Sequence, residues 1–360
     1  MSVRRRKVGQ KRTALYYPTI NVPNGPWLRQ ALLYWDEIAS IVPHNTVLIP
    51  YSPDIEYLQS EGEFRPIRPE TLIEQRPFSE VRELENEFRD IVESEGYQFH
   101  LGPKKDWTID SRVHTDKVSK GLFDYLTEKG LAKSSRKRKE SLDWYLFERK
   151  TALLYMSLLA KYLADIDPQL TIPSTDREDY RDLVYLAKAN TPGFACADIL
   201  CKNILPVPQE GVSLTDILDF KHRRRTELLR FRALVDQFER DLTSANSIAE
   251  VRDVGVRFTE SVERGVAELT DVLNDARIST TVGSLRSLVS IKSPTFWSTV
   301  SVLAGKATKI ADFPIGYSIV GLGIIGFIEI GCHLVDRKNE QRAKLRESAF
   351  SYLYYAKLLT

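Results

Sequence analysis

Few residues of this 360-residue chain stand at spacings that support known catalytic chemistry. Asp143 followed by Glu148-Arg149-Lys150 partly matches the acid–x–lysine element of metal-dependent nucleases, in which carboxylates hold Mg²⁺ and a lysine steadies the attacking water. These residues lie within a segment that we predict to be helical, where charged triplets commonly form a solvated face. The chain has no Walker-type phosphate loop and no Gly-x-Ser-x-Gly nucleophile elbow. The sequence therefore favours a role without catalysis.

Candidate metal ligands are scattered along the chain. Two imidazoles on one helix face would stand four residues apart, and no two of the five histidines do so: His44, His100, His114, His222 and His333. Cys196 and Cys201 have four residues between them and no second Cys or His pair nearby. This spacing favours two small buried thiols over a zinc site. We therefore predict no bound metal and no cofactor.

Clusters of arginine and lysine offer a candidate surface for anionic ligands or nucleic acid. One cluster is an N-terminal arm, residues 1–12, that includes Arg4, Arg5 and Arg6. Another runs along a predicted helix beside an apolar seam: Arg223, Arg224, Arg225, Arg230 and Arg232. Residues 136–139 add four consecutive cations. Acidic neighbours on the predicted helix leave an alternative open, because a mixed-charge helix flank is often only a solvated surface.

An apolar, glycine-rich stretch at residues 313–335 differs most from an ordinary soluble sequence. A membrane-spanning helix needs about 20 apolar residues, but Glu329 interrupts this stretch and the tail after Asp336 is more basic than the preceding flank, which disfavours a single crossing. Glycines on one broad helical face would let another helix approach closely: Gly316, Gly323, Gly326 and Gly331. We expect a buried or helix-packing segment, with a membrane-inserting segment and an exposed self-assembly surface as alternatives.

The composition is that of a folded protein, with 42% hydrophobic and 28% charged residues. The net charge is +2, and six cations lie within the first twelve residues, so the remainder carries about −4. Three cysteines and the lack of an apolar signal-peptide region favour a cytoplasmic location, with membrane association as the alternative.

The elements that must position these residues begin with a predicted strand at residues 13–20. A helix then starts at Pro26, and its aromatic and aliphatic stripe continues to Val42. Residues 46–49 read as a second strand. This strand–helix–strand order predicts a small α/β layer at the front of the chain.

The rest of the chain is predicted to be mainly helical. Helices are expected from Ser79 and over residues 141–164, a strand over 97–101, and a long connection over 165–215. A further helix near Asp216 carries an apolar seam: Leu228, Phe231, Val235, Phe238 and Leu242.

The predicted fold class is α+β and predominantly helical, with a small N-terminal α/β layer followed by a helical body that contains the Gly-rich apolar helix. We predict four regions: a basic flexible arm at 1–12, a small α/β domain at 13–130, a helical domain at 131–292 and an apolar Gly-rich helical region at 293–360.

Two segments carry a likeness to a known family. Residues 16–43, YYPTINVPNGPWLRQALLYWDEIASIVP, resemble the opening of an uncharacterised bacterial domain-of-unknown-function family, in which a YYP strand precedes a W…ALLYWD…I..IVP helix. Residues 217–235, ILDFKHRRRTELLRFRALV, are similar to its second recurrent element, an aromatic-basic helix. The resemblance implies no reaction. It implies a bacterial host and genes that often stand near defence and mobile-element systems.

These observations favour a non-catalytic interaction or sensor component of a bacterial system, such as anti-phage defence. One alternative is a membrane-directed effector that uses the apolar segment 294–335. Another is a nucleic-acid-binding or nuclease component that uses the basic clusters. The expected partner is a protein or a second copy of the chain, with nucleic acid and membrane as alternatives.

Overall fold

The computed structural model describes residues 11–43, 51–74, 78–101, 105–108, 111–134, 144–177, 207–245, 250, 253–258, 260–261, 264, 348 and 351–357. They divide into two compact units. The sheet unit takes its described residues from 11–24 and 35–177, and the helical unit takes them from 25–34 and 207–357. The fold is mixed α/β, and about 59% of the described residues are helical. The predicted combination of an N-terminal α/β layer with many helices is confirmed at this level.

A four-stranded parallel sheet organises the sheet unit. Its strands lie in the order β3 (Phe64–Ile67), β2 (Glu37–Ile41), β1 (Arg12–Tyr16) and β7 (Leu170–Ser174). All five residues of β2 and four of the five in β1 are buried. Burial on both faces is typical of parallel strands that are covered by helices above and below.

Helices fill most of the chain between β3 and β7. The described ones are α3 (Pro69–Glu74), α4 (Phe78–Glu93), α5 (Glu95–Leu101), α6 (Lys120–Glu128) and α7 (Arg149–Ile166), whereas α2 (Pro53–Ser60) lies between β2 and β3. Helix α7 is buried around nearly its whole circumference, as the sequence predicts for a central helix. Its first turn is capped by Glu148, whose carboxylate accepts hydrogen bonds from Thr151 N at 2.8 Å and Thr151 Oγ1 at 2.9 Å.

A second, antiparallel sheet of three short strands lies in the same unit. Its order is β4 (Arg112–His114), β6 (Trp144–Phe147) and β5 (Ala132–Ser134). One face packs against helices: Tyr145 stacks on Phe123 of α6 with ring centroids 3.6 Å apart, and Phe147 lies 6.1 Å from Tyr155 of α7. These aromatic contacts hold the small sheet on the helical layer.

The helical unit contains α1 (Pro26–Tyr34), α8 (Leu214–Arg223), α9 (Arg225–Ser244) and α10 (Ser351–Lys357). A capping box between Ser213 and Asp216 starts α8. The single helix predicted from near Asp216 is instead divided at Arg224 into α8 and α9. The predicted seam lies on α9 and is buried at its four described positions: Leu228, Phe231, Val235 and Phe238. Helix α1 belongs to this unit although it lies between β1 and β2 in the sequence.

Three predicted helices or strands are wrong, and the long connection predicted over 165–215 contains β7, whose pairing with β1 is a non-local contact that local sequence does not reveal. The helix predicted to run to Val42 ends at Tyr34, and residues 37–41 form β2. Because β2 is buried on both faces, its apolar residues show no alternation, and spacing alone cannot separate it from a buried helix. The strand predicted at 97–101 is α5, whose first turn is fixed by a hydrogen bond from Tyr97 N to Ser94 Oγ.

The third correction concerns the start of the predicted helix at 141–164. Its described N-terminal part is β6, Trp144–Phe147, and the helix begins only at Arg149. Aromatic residues favour strands, and β6 gains hydrogen-bonded neighbours on both sides from β4 and β5. The predicted strand at 46–49 and the Gly-rich segment 313–335 lie outside the described residues. Within the described part of the chain, no helix combines the length and apolarity that crossing a membrane requires.

Candidate functional site

A connected group of charged side chains lies at the amino edge of the parallel sheet. Arg65 Nε donates to Glu37 Oε2 at 2.8 Å, and Arg65 Nη2 donates to Asp167 Oδ2 at 2.7 Å. Lys11 Nζ lies 3.3 Å from Glu37 Oε1, and Thr13 Oγ1 donates to Glu37 Oε2 at 3.1 Å. We call Lys11, Glu37, Arg65 and Asp167 the amino-edge network. It ties the beginnings of three strands to the residue that follows α7.

The amino-edge network keeps its central cation charged. Burial alone would lower the pKa of Arg65, but the hydrogen bonds and charges of Asp167 and Glu37 outweigh burial, and the net pKa is raised. Both carboxylates are buried, so each needs this cation. The network therefore stabilises the sheet, at the edge opposite to the one where parallel α/β sheets bind ligands.

The carboxyl edge of the same sheet has the position of a ligand site. The strand order reverses between β1 and β7, and in open α/β sheets the crevice at such a reversal receives ligands. Tyr16 Oη, at the end of β1, donates to Asp176 Oδ1 at 3.1 Å, just beyond the end of β7. Thr175 Oγ1 lies 3.5 Å from the same oxygen and accepts from Arg177 N at 3.0 Å. These side chains form the carboxyl-edge site.

The chemistry of the carboxyl-edge site is hydrogen bonding to a polar group. Asp176 is exposed, and a carboxylate has about four acceptor positions, so it can accept further donors. The residues after β1, Tyr17-Pro18-Thr19, lack the glycines that let a backbone approach a pyrophosphate. Within the described residues no group of His, Cys, Asp and Glu is arranged to hold a metal ion.

The predicted arginine cluster gathers at the junction of α8 and α9. Arg224 Nη1 pairs with Glu227 at 3.2 Å, and its guanidinium lies 3.5 Å from the ring centroid of Tyr355. Arg223 donates to Asp219 O of its own helix at 3.3 Å, whereas Arg225 is exposed and Arg230 half-buried. Arg4, Arg5, Arg6 and residues 136–139 lie outside the described residues, as do Gly316, Gly323, Gly326 and Gly331.

Arg232 differs from the rest of its cluster because it is buried. Its Nε donates to Tyr34 O, the last residue of α1, at 3.1 Å, and its Nη2 donates to the same oxygen. Tyr352 Oη of α10 donates to Leu33 O one residue earlier. Arg232 therefore caps the carboxyl end of α1 and does not contribute to the predicted surface for anions.

A family model matches the chain over residues 196–358. The model is that of DUF6236, a family of unknown function. The match confirms the expected likeness to an uncharacterised family. Of the two segments that carried the likeness, 217–235 lies inside the match and 16–43 lies outside it. Comparison with curated proteins and with solved structures gives no significant match.

The described helices of the matched region pack around α1, which precedes that region by more than 160 residues. From α1, Arg29 Nη1 donates to Gln209 O at 2.9 Å and also to Val212 O. Sequence reasoning missed both arginine anchors. A signal was present for Arg232, because it stands four residues after Leu228 and three before Val235, on the apolar seam.

A buried lysine of the sheet unit, Lys117, was also missed. It ends a 3₁₀ turn, Thr115–Lys117, and its carbonyl oxygen accepts a hydrogen bond from Tyr155 Oη. Burial lowers the pKa of Lys117 to about 8, and the charge of Glu70 opposes the shift only in part. The local sequence, Thr-Asp-Lys-Val-Ser, gives no sign of this burial.

Proposed function

We propose that the protein is a non-catalytic interaction or sensor component of a bacterial system that acts in the cytoplasm. One observation carries this proposal. The amino-edge network stabilises one edge of the sheet, whereas the carboxyl-edge site presents the side chains of Tyr16, Thr175 and Asp176 for hydrogen bonding. Such hydroxyl and carboxylate groups can recognise a ligand without converting it.

Two further features support binding over catalysis at the carboxyl-edge site. The described residues that follow the four parallel strands, at 17–21, 42–43, 68 and 175–177, include no histidine, cysteine or lysine, three of the side-chain types that act as general bases or nucleophiles. Asp176 retains acceptor positions for hydroxyl or ammonium groups. We therefore expect a small polar ligand that carries such donors.

The test is to purify the full chain from bacterial cells, denature it, and identify any released small molecule by mass spectrometry. We expect a polar compound bound to the wild-type chain and to Glu61→Arg, and its loss from Asp176→Arg. Glu61 is exposed and follows α2 before β3, at the opposite edge of the sheet, so the two variants change the same charge at the two edges.

The outcomes of this test separate a sensor from an enzyme. A compound that returns chemically unchanged after prolonged incubation with the protein supports a sensor. Conversion of the compound would identify an enzyme and contradict the proposal. Equal retention by Asp176→Arg, or no compound in the wild type, would exclude the carboxyl-edge site as its binding place.

A further inference from the structure

The second face of the three-stranded sheet carries a group of basic and aromatic side chains. In the register of the sheet, Arg112 and Lys133 stand on either side of Leu146, and His114 stands opposite Trp144. Residues two apart on a strand share a face, so these five side chains lie together. The face is therefore the one opposite to Tyr145 and Phe147, which pack on α6 and α7.

Cations and aromatic rings alternate across this face. The Arg112 guanidinium lies 5.6 Å from the ring centroid of Trp144, and His114 meets the same ring edge-on at 5.0 Å. The Lys133 ammonium lies 4.0 Å from the ring centroid of Trp107. Arg112 and Lys133 are exposed, and both tryptophans are partly exposed. We call Trp107, Arg112, Lys133 and Trp144 the basic-aromatic face.

Charge favours an anionic partner here. Asp106, next to Trp107 in the sequence, is paired with Arg149 at 3.6 Å, and Asp116 lies 3.5 Å from His114 Nδ1. These two carboxylates are therefore partly neutralised by Arg149 and His114.

We propose that the basic-aromatic face binds single-stranded nucleic acid, with bases stacked on Trp144 and Trp107 and phosphates beside Arg112 and Lys133. Unpaired bases stack on exposed aromatic rings, and Lys and Arg beside them follow the phosphate backbone. A three-stranded sheet spans only about 10 Å between its outer strands, which suits a single strand better than a duplex. This inference rests on the proposed function, because it names a partner for the interaction component.

The test measures fluorescence anisotropy of a labelled single strand of about 20 nucleotides, as DNA and as RNA, with the full chain at about 0.1 M salt. A duplex of the same length is measured beside it. We expect Trp144→Ala to weaken single-strand binding roughly 5- to 150-fold, since one stacked base contributes about 1–3 kcal/mol. Trp144→Phe, which keeps an aromatic ring, should restore most of the affinity.

Lys133→Glu is the second variant, because its exposed position leaves folding intact where Trp144→Ala could fail to fold. It should weaken binding and reduce the salt slope by about 0.7 for each phosphate that is no longer neutralised. Arg225→Glu is the matched charge reversal in the predicted arginine cluster, and it should leave affinity unchanged. Melting temperatures of all variants confirm that each is folded.

Three results would overturn the inference: no binding by the wild type, stronger binding to the duplex, or loss of binding in Arg225→Glu but not in Lys133→Glu. These results are separable from failure of the proposed function. Cleavage of the bound strand, seen on a denaturing gel, would contradict the non-catalytic role while leaving the binding face intact. Absence of nucleic-acid binding would leave the ligand test at Asp176 unaffected.

Discussion

The two units differ in the contacts that their arginines make. In the sheet unit, the half-buried Arg65 bridges the buried carboxylates of Glu37 and Asp167. In the helical unit, the buried Arg232 and Arg29 donate to backbone carbonyl oxygens. An ion pair leaves a buried charge behind when one partner is removed, whereas an abandoned carbonyl leaves only a neutral acceptor. The comparison therefore predicts a larger cost of removal in the sheet unit than in the helical unit.

Arg65→Met gives the largest expected effect. It leaves Glu37 and Asp167 buried without their shared cation, and removal of one partner from a buried pair costs about 3–5 kcal/mol. The free energy of unfolding, measured by urea denaturation, should fall by about that amount. Lys11→Met is the matched control, because its side chain is 47% exposed and such pairs contribute about 0–1 kcal/mol. Equal decreases in the two variants would contradict the bridging role of Arg65.

Arg232→Met tests the helical unit. Tyr34 O loses its two donor groups from Arg232, and a hydrogen bond to a charged group contributes about 1.5–3 kcal/mol. We expect the free energy of unfolding to fall within that range, by less than in Arg65→Met. Arg230→Met, half-buried on the same helix, should change stability by about 0.5 kcal/mol or less. If Arg230→Met proved the more damaging, the assignment of Arg232 as the cap of α1 would be wrong.

Lys117 differs from Arg65 within the sheet unit, because the effect of burial on its pKa exceeds the opposing effect of the Glu70 charge. Its pKa is about 8 in the folded protein, against an ordinary value of 10.5 for a solvated lysine. Between these values the unfolded chain binds more protons, so stability rises as pH increases. The free energy of unfolding of the wild type should therefore rise by about 1–2 kcal/mol relative to that of Lys117→Met between about pH 7 and about pH 9.5.

Urea denaturation of the variant and the wild type at each pH measures this change, and the difference between them cancels the ionisation of the tyrosines that both chains share. Lys120→Met, at an exposed position of α6, provides the control and should show no such trend. A difference between Lys117→Met and the wild type that stays constant across this pH range would mean that Lys117 is solvated in the folded protein.

The sequence predicted the elements whose apolar pattern or length fits only a helix. The seam of α9 has helical spacing, and α7 is an apolar run too long for a strand. It failed at β2 and α5, where burial on both faces or a local serine cap decided the structure. Neither the carboxyl-edge site nor the basic-aromatic face was predictable, because Tyr16 and Asp176 are 160 residues apart and the face draws on three strands.

The salt dependence of stability gives the smallest expected effects in the comparison of the two units. Ser213 caps α8 with a hydrogen bond from Asp216 N to its Oγ at 3.1 Å, and removal of such a cap costs about 1 kcal/mol. Ser213→Ala should show that cost at low salt and at about 1 M salt alike, because the serine oxygen carries no net charge. The small effect of Lys11→Met should instead vanish at about 1 M salt, where the Debye length is about 3 Å.

Ser213→Ala and Lys11→Met both change surface residues, and their expected costs in stability differ by only a fraction of a kcal/mol. The response of each cost to salt therefore distinguishes them better than its size. If Ser213→Ala had no effect at high salt, the charge of Asp216 in the capping box, rather than the serine hydrogen bond, would stabilise the start of α8. If Lys11→Met kept its effect, the hydrogen bond from Lys11 Nζ to Gly62 O at 3.1 Å would outweigh its ion pair with Glu37. The exposed end of the amino-edge network would then resemble the helical unit, with a cation held by a backbone carbonyl.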